Sequence, residues 1–158
     1  MQLINSIPPV TDTEKYDAWK KQWANQERLD MHSYINDQCH PEQMLVFSTL
    51  FFPTFVLSQG GVFLERNFSV ETLARCLSLA SHDMAEAERL LNYVKLYDVF
   101  GQYGDGVSTA IFLQLCEVIG FAWRMVLKEK FPDKLFSVEV SNSDENYGPV
   151  VTFYQVKR

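Results

Sequence analysis

Residues 132–156, PDKLFSVEVSNSDENYGPVVTFYQV, carry the change of period that decides the fold. Phe136, Val138 and Val140 alternate with Ser137, Glu139 and Ser141, the twofold repeat of a half-buried strand. Asn142 to Gly148 is rich in turn formers. Pro149 to Val156 is rich in Val, Thr, Phe and Tyr, which suit a pleated surface. Leu135–Ser141 is therefore expected to pair antiparallel with Pro149–Val156. Upstream of Pro132 the apolar residues recur at helical spacing instead. The fold class expected is α+β, a single helix-rich domain of about five helices ending in this hairpin.

Working back from Pro132, Ser108 is placed to cap a helix that runs to about Phe131. Its polar line is a narrow one, Gln114, Glu117, Arg124 and Lys128, so neighbours are expected on most sides. Met84, Ala87, Leu91 and Val94 predict a helix capped by Ser81 and ending near Phe100. Before it, Ser69 and Glu71 open a helix whose apolar face is Leu73, Cys76, Leu77 and Ala80. Phe55–Leu64 reads as two short runs around Gly60-Gly61, a central hairpin, with a continued helix as the alternative. Pro41 starts a helix in which Met44 to Phe52 is apolar almost all round, so burial is expected. Thr11-Asp12-Thr13-Glu14 has the form of a capping box, and the helix after it places Tyr16, Trp19 and Trp23 on one core-facing side. Residues 30–40 read as a polar connection and residues 1–10 as an extended segment.

Composition sets the outer bounds. The 158 residues are 47% hydrophobic and 22% charged, which excludes a predominantly disordered chain and leaves room for one domain. The formal charge of -6 argues against broad binding to nucleic acid, which needs a basic surface. Cys39, Cys76 and Cys116 are odd in number and widely spaced, so free thiols in a reducing cytoplasm are expected, released together only on unfolding. The N-terminus lacks the basic start and apolar run of a signal peptide. Gln43 to Leu64 holds no charged residue, but Pro53 and Ser58–Gly61 interrupt it, and no membrane span is expected.

No motif points to a particular chemistry. Gly101–Gly106, GQYGDG, precedes a helix, but its order fits neither a dinucleotide fingerprint nor a P-loop. His82 and Glu86 are four apart with no further ligand at metal-site spacing. His32, Asp37, Cys39 and His40 form the densest polar cluster and are the alternative reading, a small enzyme site. No metal and no cofactor are expected.

Charge is distributed unevenly. Asp30 to Gly120 holds 11 acidic and 4 basic residues, net -7, whereas the two flanks together hold 9 acidic and 10 basic, net +1. Asp83, Glu86, Glu88, Asp98 and Asp105, with Tyr103 in the adjoining loop, are the residues expected to contact a basic protein partner. Asp98 is singled out because a carboxylate near a helix C-terminus is disfavoured. The function expected is a small acidic binding module, of the kind that neutralises a basic toxin or nuclease. A structural subunit using exposed aromatics such as Tyr147 and Tyr154 is a further alternative.

Overall fold

The structure, a computed structural model, describes residues 2, 4–101, 106–142 and 147–156. Among them are seven α-helices and two small antiparallel sheets, so the chain is α+β, with two helices more than expected. In chain order the elements are α1 Glu14–Lys20, α2 Met31–Gln38, α3 Pro41–Phe51, β1 Phe55–Ser58, β2 Gly61–Leu64, α4 Val70–Leu79 and α5 Met84–Leu91. There follow β3 Val94–Lys95, α6 Leu96–Val99, α7 Thr109–Lys130, β4 Phe136–Ser141 and β5 Val150–Gln155. The chain divides into two compact units, Met1–Leu50 and Phe51–Arg158.

The first unit is organised by aromatic rings. Trp19 is buried, with the rings of Tyr16 and Trp23 at 6.0 Å and that of Tyr34 at 5.2 Å. Its indole N–H donates to Asp37 Oδ2 at 2.7 Å, which ties α1 to the last turn of α2. The helix opened at Thr13 is shorter than expected, and Thr13 makes no side-chain cap bond. The N–H groups of Gln22 and Trp23 bond three residues back, to Trp19 and Lys20, and this tightening ends α1. Residues 31–38, expected as a connection, are a helix. Asp30 accepts from the Ser33 N–H at 2.8 Å, and Ser33 Oγ accepts from the Asp30 N–H, a capping box built on Asp and Ser. The burial expected for the apolar stretch of α3 is not found. Met44, Leu45, Val46 and Phe47 are all exposed, at 42% or more.

The second unit is built around β5. The C-terminal strands pair antiparallel from Phe136↔Gln155 to Ser141↔Val150, and β3 joins on the other side of β5 at Val150 and Val151. The result is a three-stranded sheet, β3-β5-β4, rather than an isolated hairpin. Its faces are covered differently. Phe153 meets Trp123 of α7 at 5.6 Å, whereas Thr152 Oγ1 donates to the Arg89 carbonyl of α5. Helices on both faces explain why Val150 to Phe153 are buried without alternation. Gly120 lets α7 approach β4, since a Cβ there would lie 3.0 Å from Val140 Cγ2.

The central hairpin pairs β1 with β2 across Gln59 and Gly60, both left-handed at φ 50° and 84°. That is the two-residue turn whose twist suits adjoining strands. Ser69 caps α4 by accepting from Thr72 N–H at 3.0 Å. Ser81 does not cap the next helix. It lies in the terminus of α4, where His82 N–H bonds back to the Leu77 carbonyl and both residues are left-handed. Asp83 is the N-cap of α5, accepting from Ala85 and Glu86. The helix expected to run to Phe100 breaks at Asn92, and Val94 is recruited into the sheet.

α7 is long and apolar enough to cross a bilayer by length and composition, the one such helix among the described residues. Its Phe112, Cys116, Ile119, Trp123 and Leu127 are core residues of this unit.

Cys116 and Cys76 are buried free thiols, while Cys39 is half-buried. Burial pushes the Cys116 thiol up to about 12. Titration of the native protein with a disulfide reagent at pH 8 is expected to modify Cys39 alone. Unfolding without reductant should release all three. A native titre of two would place Cys76 or Cys116 at the surface.

Candidate acidic cleft

β4 and β5 alternate, so Val138 and Val140 face α7 while Ser137 and Glu139 face the other way. Register places Glu139 opposite Thr152 and Ser137 opposite Tyr154, on the side that α5 covers. α5 covers that face only in part. At its N-terminal half a cleft of about 330 Å³ remains, lined by Asp83, Ala85, Glu86 and Arg89 of the helix region and Glu139 and Tyr154 of the sheet.

The groups in this cleft are held in place. Asp83 Oδ1 caps the helix. Arg89 Nε and an Arg89 terminal nitrogen donate to the two carboxylate oxygens of Glu86 at 2.8 and 2.7 Å. This hydrogen-bonded pairing, more than the charge itself, holds the Glu86 carboxyl below its ordinary range and raises the Arg89 guanidinium. Tyr154 OH donates to Glu139 Oε1 at 2.6 Å across the two strands. Three carboxylates therefore surround one guanidinium and one phenol, an excess of negative charge in a concave surface.

The expected site residues fare unequally. Asp83 and Glu86 line the cleft together. Glu88 does not belong to any surface: it is fully buried, because it points from α5 toward β2 and β5 and accepts from their backbone N–H groups. Asp98 is exposed but does not line the cleft, and it lies in the first turn of the short α6, where a carboxylate suits the helix dipole. Tyr103 and Asp105, with most of the GQYGDG loop, lie outside the described residues.

Arg89, Glu139 and Tyr154 escape the sequence reading as cleft residues. The signal was present in part, since Arg89 is three residues from Glu86 and Glu139 is the polar alternate of β4.

The alternative cluster is dispersed in role. His32 lies in the first turn of α2, and Asp37 accepts from Gln38 and Trp19, bonds that hold its carboxyl below the ordinary range. Cys39 is the C-cap of α2, and His40 Nδ1 accepts from the Glu42 N–H at 3.2 Å. Among the described residues no three His, Cys, Asp or Glu side chains are grouped to hold a metal. His82 and Glu86 do not share a helix face, since His82 lies outside α5. No protein family, curated protein or solved structure matches the chain.

Proposed function

We propose that the cleft docks a basic protein and that the chain is a small binding module, of the kind that neutralises a basic toxin or nuclease. The observation that carries this reading is the convergence of Asp83, Glu86 and Glu139 on one concavity against the single guanidinium of Arg89. Such a surface attracts a cationic partner before contact and so raises the association rate. On docking, a partner Lys or Arg would exchange with Arg89 on Glu86. The ring of Tyr154, its hydroxyl fixed by Glu139, supplies a rigid aromatic floor of the kind that anchors interfaces.

The test starts from affinity capture in the native host, followed by binding kinetics of the captured protein at two salt concentrations. Glu86→Lys and Glu139→Lys should each slow association, together by about tenfold at low salt, and flatten its salt dependence. A captured partner that is acidic, or rates that do not respond to either charge reversal, would remove this reading.

A further inference from the structure

β4 is the outermost strand of its sheet, order β3-β5-β4, so only one of its edges is paired. The Val156 N–H donates to the Leu135 carbonyl at 2.9 Å, and that bond sets the phase of the whole β4–β5 ladder. In an antiparallel pair, residues that exchange bonds alternate with residues whose polar groups point the other way. Ser137, Glu139 and Ser141 therefore bond to β5, while Phe136, Val138 and Val140 turn their N–H groups and carbonyls outward. No described strand pairs with that row. β2 shows how the chain closes an edge. Val62 and Leu64 point away from β1, and Glu88 and Asn92 of α5 take up both N–H groups and the Val62 carbonyl. Among the described residues no side chain does this for Phe136, Val138 or Val140. β4 also lacks the devices that keep edges apart. Its register with β5 runs from Phe136 to Ser141 without a bulge, and it holds no Lys and no Pro.

We propose that β4 pairs antiparallel with β4 of a second copy, joining the two sheets into one about a twofold axis at Val138. The strand is self-complementary in that register. Val138 then lies opposite Val138 of the second copy and Phe136 opposite its Val140, so every outward N–H of each copy meets a carbonyl of the other. Phe136 and Val140 form an aromatic–β-branched pair on the face that α7 covers. On the other face Ser137 falls opposite Glu139 of the second copy. Tyr154 OH takes Glu139 Oε1, which leaves Oε2 to accept from that Ser137 hydroxyl. Moving the axis to Glu139 would set two carboxylates against each other, and moving it to Ser137 would leave Val140 beyond the end of the facing strand. This match of the strand to itself selects a second copy over a foreign strand. Such pairing uses the edge of both copies and stops at two. The contact is small beside the about 800 Å² per copy of a standard interface, so the dimer should dissociate on dilution. Both acidic clefts open on the same face of the joined sheet, and the pairing holds whatever they bind.

Sedimentation equilibrium of the full chain from about 5 µM to 1 mM should show monomer passing to dimer, with no larger species. Over the same range the amides of Phe136, Val138 and Val140 should gain protection from hydrogen exchange, while those of Ser137 and Glu139, already bonded to β5, should not change. Val138→Pro removes the central outward N–H and none that β5 receives, so it should abolish the dimer in a chain whose circular dichroism is retained. Ser137→Glu, facing Glu139 of the second copy, should weaken the dimer by about threefold or more, and Ser137→Lys should tighten it by a similar factor. Both effects should shrink in salt, and both keep the test open if Val138→Pro does not fold. A chain that stays monomeric to 1 mM would overturn the proposal, even if a strand from another protein protects the same amides. So would protection of Phe136, Val138 and Val140 that is independent of concentration, a dimer unaffected by a folded Val138→Pro, or equal effects of Ser137→Glu and Ser137→Lys.

Discussion

Phe153→Ala is expected to lower the folding stability by about 3–5 kcal/mol. Phe153 is fully buried in β5, and three rings pack on it from different elements. Phe55 of β1 lies at 5.8 Å, Trp123 of α7 at 5.6 Å and Phe136 of β4 at 5.9 Å, each edge-on. Removing the ring strips transfer free energy and leaves a cavity that three large side chains, each held on a different element, do not collapse to fill. For a chain of this size the loss corresponds to a thermal midpoint lower by about 10 °C. Phe153→Leu, which keeps most of the volume, should cost less than half as much. Urea denaturation followed by far-ultraviolet circular dichroism measures both. A Phe153→Ala loss under about 1.5 kcal/mol would mean that this cluster is not the centre of the core.

Asn92→Ala should be nearly as damaging, for a reason that has nothing to do with volume. Three buried backbone groups, Leu64 N–H and the carbonyls of Val62 and Phe153, lose their partner at once. Each unsatisfied group costs about 1–3 kcal/mol, and water entering the space recovers part of it, so a loss of about 3 kcal/mol is expected. Asn92→Asp separates shape from chemistry. It keeps the acceptor for Leu64 but turns a second carboxylate oxygen toward two carbonyls, and it sets a new charge one turn from Glu88. It should destabilise at least as much as Asn92→Ala at pH 7. If Asn92→Asp were tolerated, the amide of Asn92 would not be donating as the distances imply.

Local pattern reached the elements whose signals are repeated or self-contained. The alternation of residues 136–140 marks β4, and the cap at Ser69 marks the start of α4. The length of the apolar run after Ser108 marks α7. It missed the elements decided by distant partners. Nothing near Asn92 announces a helix end, because the reasons for the break are Val62, Leu64 and Phe153. Val94 keeps helical spacing in sequence and is taken into the sheet by Val151. Glu88 looks like one more acid on an acidic helix, and only the arrival of two backbone N–H groups gives it a buried place. α3 runs the other way: its composition calls for burial, and its side chains are exposed. The cleft was half legible, since Asp83 and Glu86 lie together on one helix while Glu139 and Tyr154 come from the far end of the chain.

The position of β5 in the chain has a kinetic consequence. It pairs with both β3 and β4, packs under α5 and α7, and supplies partners for Glu88 and Asn92, yet it follows all of them in sequence. Closing Val94 onto Val151 spans about half of the second unit, and such distant closures are slow compared with hairpins and helix pairs. Until it happens, a carboxylate and an amide destined for the interior remain in water, and the rings of Phe55, Trp123 and Phe136 lack their common neighbour. A chain interrupted before Val150 would leave β3, β4, α5 and α7 without the strand they pair with or pack on.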